Sequence, residues 1–346
     1  MAPFRVGIIG CGRPWKSQDA SGFGMANFHA RAYTTSPDTT IVALSDINLD
    51  NARAFQAQHG GEHIYVDYHE MLAQEQLDMV SICTWPQHHA PMVIAAAEAG
   101  VKAIHCEKPM APSYAEALRM VDVCKAQGTQ LTFNHQRRFA VPFRAARDLL
   151  KSGAIGQLQR LEGACDNLFD WGTHWFDMFG FYNNEAAPAW AIGQVDWRDG
   201  KTIFGVPVEG QGISHFAYEN GVQGLLLTGY GTEHKLNNRL IGSEGTIEVI
   251  LGEKSIRVWS KGDADWHDVQ VTAGASDTLD EIVPQGVLDA IDALKTGREP
   301  ELSARRALQA TGLIFATYKS SRRGGRIDFP LEALDSPFPS IAPSTW

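Results

Sequence analysis

The sequence predicts an α/β chain of two domains: a doubly wound parallel sheet, then an α+β domain. Three observations carry this expectation. The 346 residues exceed the roughly 150 that one core commonly serves, so two domains are expected. The first third alternates short Val/Ile-rich runs with stretches of helical spacing, the pattern of parallel strands covered by helices on both faces. After about Asn134 the alternation stops, and short strands follow one another across glycine-containing links.

Element by element, the strands of the first part are "FRVGIIG", "TTIVALSD", "HIYVD", "LDMVSICT", "VKAIHCEKP" and "TQLTFN". Between them lie the helical stretches "MANFHARAYTTS", "NLDNARAFQAQHG", "YHEMLAQE", "HAPMVIAAAEAG" and "YAEALRMVDVCKAQG", several of them ending at a glycine suited to a helix C-terminus. The second part opens with a helix at "VPFRAARDLLKSG". Strands follow at "QLQRLEGAC", "AWAIGQVDW", "ISHFAYEN", "VQGLLLTGY", "NRLIGS", "GTIEVI" and "SIRVWS". Two late helices, around "DEIVPQGVLDAIDALKTG" and "SARRALQATGLIFATYKSS", are expected to complete this second domain.

Composition excludes several classes of function. Hydrophobic residues at 44% and charged residues at 20% fit an ordinary globular protein rather than a disordered one. A net charge of −10 argues against a nucleic-acid partner. No apolar run approaches the ~18 residues of a membrane span and no secretory leader is evident, so a cytoplasmic location and no membrane partner are expected. Cys11, Cys83, Cys106, Cys124 and Cys165 form no C-x-x-C pair and are expected to be reduced, mostly as core residues.

The first strand leads into Gly10 and Gly12, the first two glycines of a dinucleotide-binding turn. The first permits the bend and the second lets a pyrophosphate approach the backbone. The third small residue, which lets helix and strand pack closely, is assigned to Ala26, with Gly22 and Gly24 as alternatives, because "MANFHARAY" then runs as the helix. The intervening stretch is either a solvent loop or a strap over the pyrophosphate, with Arg13 or Lys16 near phosphate and Trp15 near the substrate mouth. Asp46 ends the second strand near the ~20-residue spacing of the carboxylate that binds an adenosine ribose, once the extra turn residues are discounted. A carboxylate there repels a 2′-phosphate, so NAD is expected over NADP.

The turn at Gly10 and Gly12, "CTWPQHH" at 83–89, "CEKP" at 106–109 and "DWGTHWFD" at 170–177 together resemble the glucose-fructose oxidoreductase, inositol dehydrogenase and rhizopine-catabolism (Gfo/Idh/MocA) family. The order of motifs and elements follows that family along essentially the whole chain. The long glycine turn, and Trp85 where members often carry proline, depart from its pattern and bear on subfamily and substrate. The resemblance implies an N-terminal Rossmann domain over residues 1–133. It further implies an α+β domain over 134–346, with a large, mostly antiparallel open sheet through which a homodimer or homotetramer would form. It also implies NAD(P)-dependent oxidation of a sugar, glycoside or cyclitol. The family lysine falls on Lys108 and its acid and histidine on Asp170 and His174; Thr84, Trp85, His89 and Glu107 would line the cofactor.

The chemistry of these residues agrees with that role. Oxidising a secondary alcohol needs a base at the hydroxyl while the carbon faces the nicotinamide. Asp170 and His174 would share one face if their segment is helical, so that the carboxylate orients the imidazole base. Lys108, held before Pro109 at the C-terminal edge of the parallel sheet, would hydrogen-bond the reacting oxygen. No third and fourth ligand stand at metal spacing beside Asp170 and His174, so no metal is expected. Trp15, Trp171, Arg137 and Arg138 are candidate substrate contacts. An alternative activity keeps NAD bound and recycles it through a transient ketone to drive elimination or glycosidic cleavage.

Overall fold

The computed structural model describes residues 2–12, 24–232, 238–250, 255–271, 278–332 and 338. The first strand, β1 (Phe4–Ile9), leads to α1 (Met25–Thr35), followed by β2 (Thr39–Ser45), α2 (Leu49–His59), β3 (His63–Tyr65) and α3 (Tyr68–Gln74). The alternation continues through β4 (Met79–Ile82), α4 (Pro86–Glu98), β5 (Ala103–Cys106), α5 (Tyr114–Gln127) and β6 (Gln130–Phe133). The six strands pair in parallel in the order β3-β2-β1-β4-β5-β6. The order reverses between β1 and β4, and such a crevice outside the C-terminal ends of the strands is where open α/β sheets bind ligands.

Local chemistry sets these boundaries. Val6, Ile8 and Ile9 of β1 are buried, as a strand covered on both faces requires. The Asn48 side chain accepts from the Asp50 amide at the start of α2, and Asp67 accepts from the His69 amide at the start of α3. α4 begins with Pro86 in its first turn, where a missing N–H costs nothing.

The remainder contains a 3-10 turn (Gln136–Phe139), α6 (Val141–Lys151), β7 (Leu158–Cys165), α7 (Gly172–Tyr182), β8 (Pro188–Asp196), and the short pair β9 (Lys201–Ile203) and β10 (Val206–Val208). Next come β11 (Gln211–Tyr218), β12 (Gln223–Thr228), β13 (Asn238–Gly242), β14 (Gly245–Val249), β15 (Ser255–Ser260) and β16 (His267–Gln270). The chain ends through α8 (Leu279–Thr296), α9 (Ala304–Arg323) and β17 (Ile327–Asp328). A nine-stranded sheet forms in the order β16-β15-β14-β13-β7-β12-β11-β8-β17. Its pairs are antiparallel except β7 with β12. Side chains alternate across it. Phe216 of β11 lies against Phe176 and Phe179 of α7, whereas Ile213 and Leu227, directly opposite each other on β11 and β12, stay exposed.

The chain's contacts divide it differently from a single cut after residue 133. One unit comprises the described residues up to Ala111, Glu116–Gln136 and Thr278–Arg305; the other comprises Pro112–Ala115, the described residues from Arg137 to 271, and those from Arg306 onward. The expectation that both late helices complete the second domain is therefore corrected for α8. Its Val287 and Ile291 share a core with Val6, Ile8, Ala26 and Ala30, and Gln130 donates to the Ala290 carbonyl. An apolar stripe fixes only that a helix is buried, not which core accepts it. The strands β9, β10, β16 and β17 were not anticipated; none exceeds four residues, too short for a period-2 pattern to stand out.

Candidate active site

Beyond β1 the backbone turns through Gly10 and Gly12, both in the left-handed region, at φ 85° and 70°. A Cβ at Gly10 would lie 2.9 Å from Thr84 Cγ2 and 3.0 Å from the Cys83 carbonyl carbon, whereas one at Gly12 would meet nothing within 4 Å among the described residues. The first glycine thus lets two strand ends approach, and no described residue crowds the second. Asp46 binds this turn to the end of β2: its Oδ2 accepts from the Gly12 amide at 3.0 Å and its Oδ1 from the Asn48 amide at 2.9 Å. Ile47, the next residue, is 91% exposed, an apolar side chain beside the carboxylate that the sequence reading missed. α1 starts from Gly24 with no side-chain cap among the described residues, and its Ala26 is buried in the core with Val6 and Ile8 of β1. Arg13 and Trp15 lie outside the described residues.

The residues present fit a dinucleotide. Among the described residues, a glycine with nothing facing it, a helix start without a side-chain cap and the Asp46 carboxylate meet at the switch point of the sheet. Thr84 borders the same turn, and Trp85 stands 43% exposed at the start of α4.

Lys108 follows β5 and is half-buried. Both neighbours in the "EKP" turn are tied down. Glu107 Oε1 accepts from His29 Nε2 at 3.0 Å and from Asn134 Nδ2 at 2.7 Å, and its Oε2 faces the Lys108 amide at 3.3 Å. Burial opposes the Glu107 charge. The hydrogen bonds from His29 and Asn134 and the charge of Lys108 outweigh it, so the carboxyl is held below its ordinary range. On the other side, the ring nitrogens of His89 lie 2.9 Å from the Pro109 carbonyl and 3.0 Å from that of Thr84, and burial lowers its pKa. Glu107 and His89, expected to line the cofactor, are both buried, and each has one polar atom on the turn carrying Lys108: Glu107 Oε2 at the Lys108 amide and His89 Nδ1 at the Pro109 carbonyl. His29 and Asn134 were missed because nothing in their spacing announces a contact with Glu107.

Asp170 and His174 lie in the other unit, at the entrance of α7. The helix starts at Gly172 behind Trp171, so Asp170 belongs to the preceding turn and the expected helical pairing on one face is corrected. Asn167 builds that turn: its side chain accepts from the Asp170 amide at 2.7 Å and its carbonyl from the Gly172 amide at 2.8 Å. Glu209, also missed, holds the same segment from beneath. Its carboxylate accepts from the Leu168 amide at 2.6 Å, Thr228 Oγ1 at 3.0 Å and the Tyr318 hydroxyl at 2.6 Å. Every residue of α7 is buried, and Asp170 and His174 are only 8% and 4% exposed.

The two arginines separate. The Arg137 guanidinium sits 5.3 Å from the Trp171 ring and 4.7 Å from that of Trp175, a cationic group steadied by two indoles beside Asp170 and His174. Trp171 is 38% exposed, while Trp175 is buried with its indole N–H on the Ala164 carbonyl. Arg138 is not available to a substrate: it is enclosed and paired with Asp177 at 2.8 Å and Glu185 at 2.5 Å. A guanidinium so buried needs carboxylate partners, and the structure spends Arg138 there. The predicted site residues thus fall into a nucleotide and lysine group in one unit and an Asp170, Trp171, His174 and Arg137 group in the other.

Residues 4–135 match the oxidoreductase family described as having an NAD-binding Rossmann fold. The chain is 28% identical to a D-apiose dehydrogenase of Paraburkholderia graminis, over 98% of this chain and 92% of that protein. It is 30% identical to a myo-inositol 2-dehydrogenase of Thermotoga maritima, over 44% of this chain and 42% of that protein. Its fold resembles levoglucosan dehydrogenase solved with NADH and levoglucosan, with a TM-score of 0.79 at 20% identity over 95% of this chain and all of that one. With its glycine turn and these matches, the N-terminal part of the chain, residues 4–135, belongs to the Gfo/Idh/MocA family of oxidoreductases, whose Rossmann fold binds NAD.

Proposed function

We propose that the protein oxidises a secondary ring hydroxyl of a sugar, glycoside or cyclitol with NAD. The observation that carries this reading is the buried Asp170 and His174 pair at the entrance of α7. Ionisable groups are costly to enclose, and a buried acid and imidazole four positions apart at one helix entrance suit a proton-handling site. His174 takes the hydroxyl proton and Asp170 orients the imidazole and binds a neighbouring hydroxyl. Lys108 donates a hydrogen bond to the reacting oxygen and stabilises its developing negative charge. Bound NAD supplies the acceptor for the hydride leaving the carbon.

Asp46 takes the adenosine ribose hydroxyls and Ile47 offers the adenine an apolar surface, an arrangement that favours NAD over NADP. Trp171, partly exposed, and the Arg137 guanidinium stacked on it are assigned to contact the sugar. The activities named for the apiose and inositol relatives support the substrate class. Ile192, Ile213 and Leu227 are exposed together on the nine-stranded sheet and suit the surface of a second copy in a homodimer or homotetramer.

The test is NADH absorbance with D-apiose, methyl glucosides, levoglucosan and myo-inositol. At least one should yield net NADH. His174→Ala should then lower kcat by roughly 10²–10⁴-fold while NADH affinity is kept. Turnover near wild type in that variant, or no NADH with any of these compounds, would overturn the reading.

A further inference from the structure

We propose that His29 is a positioning residue for Lys108, acting through the Glu107 carboxylate that it holds against the Lys108 amide. This rests on the reading of Lys108 above and extends it to a side chain from a different element. His29 projects from α1, is wholly enclosed, and has a partner at each ring nitrogen. Its Nε2 lies 3.0 Å from Glu107 Oε1, and a carboxylate accepts only, so Nε2 carries a proton. Nδ1 lies 3.1 Å from Ser81 Oγ, which is 2.9 Å from the Tyr33 hydroxyl. Tyr33, Ser81, His29 and Glu107 thus form one continuous hydrogen-bonded chain, with Cys83 Sγ also 3.4 Å from Nδ1. The other Glu107 oxygen ends the chain at the amide of Lys108.

Holding α1 onto the sheet does not require this chain. Ala26, Ala30, Ala32 and Tyr33 already pack into the core, and a buried polar network stabilises a fold little better than apolar side chains of similar shape. What the chain adds is a fixed backbone at the residue whose ammonium must meet the reacting oxygen. Glu107 is fixed independently by Asn134, whose own amide donates to the Cys106 carbonyl, so His29 and Asn134 bracket one carboxylate oxygen. Such supporting contacts decide whether a catalytic group is held within a fraction of an ångström.

The experiment compares His29→Leu with His29→Gln, whose amide nitrogen falls near the position of imidazole Nε2, each alone and combined with Lys108→Ala. With the best-oxidised compound of the panel above, His29→Leu should lower kcat by about 10²-fold, the loss that a misplacement of ~1 Å produces. KM and NADH affinity should change little, and His29→Gln should recover most of the loss. In the Lys108→Ala background His29→Leu should cost almost nothing further, because the group it positions is gone. Multiplying losses in the double variant would overturn the proposal. Retained turnover in Lys108→Ala alone would instead overturn the reading of Lys108, a separate result.

A second measurement needs neither turnover nor cofactor. The ¹³C-dimethyl signal of Lys108 in the apo protein, assigned by its loss in Lys108→Arg, should move in His29→Leu and return in His29→Gln. If His29→Leu does not fold, Glu107→Gln takes its place in both measurements. A Lys108 signal unchanged by loss of the clamp would overturn the proposal.

Discussion

Exchanging each of the two glycines of the nucleotide turn for alanine separates folding from cofactor binding. Both positions are left-handed, where a Cβ costs about 1–2 kcal/mol. At Gly12 no steric cost is added by the described residues, none of which comes within 4 Å of the added methyl. At Gly10 the methyl would stand 3.0 Å from the carbon and the oxygen of the Cys83 carbonyl and 2.9 Å from Thr84, so the end of β4 must move. Overpacking of this kind adds about 1–3 kcal/mol. Gly10→Ala should therefore lose about 2–5 kcal/mol of stability in the apo protein, read from its first urea transition, and Gly12→Ala about 1–2. NADH titration followed by tryptophan fluorescence should give the opposite order for the folded proteins. If the turn cradles the pyrophosphate as proposed, the Gly12 methyl should weaken binding by 10-fold or more, about 1.4 kcal/mol or above. Gly12→Ala that binds NADH like wild type, or Gly10→Ala no less stable than Gly12→Ala, would refute the assignment of roles.

Two further outcomes follow from single carboxylates. Asp46→Asn should lower NAD affinity by roughly 10-fold and narrow the preference over NADP, since a neutral amide no longer repels a 2′-phosphate; equal titrations of both cofactors in variant and wild type would contradict this. Burial raises the Glu209 pKa above the ordinary 4.5, although Tyr318, Leu168 and Thr228 all donate to it. Folding thus favours its protonated form, whose contribution is fully present below pH 4.5 and is lost as pH rises through the folded value. Glu209→Gln should flatten the fall of stability above that pH, as measured by urea midpoints at intervals of one pH unit; a parallel slope in both proteins would count against it.

The sequence by itself determined the features that depend on short-range pattern. The alternation of apolar runs and helices specified the parallel sheet, and Gly10, Gly12 and Asp46 could be picked out because a strand, a bend and a carboxylate must recur at set distances along the chain. Ala26 was legible for the same reason, a small side chain at the start of an amphipathic helix. Only the tertiary structure decided which partners distant residues found. The core that receives α8, the enclosure of Arg138 by Asp177 and Glu185, the support of the Asp170 turn by Glu209, and the clamp of His29 on Glu107 all join residues 39 or more positions apart. Periodicity carries no information about such pairings, because it fixes which face of an element is apolar and leaves open what that face meets. Polar groups brought inside must then find donors and acceptors wherever the packing offers them.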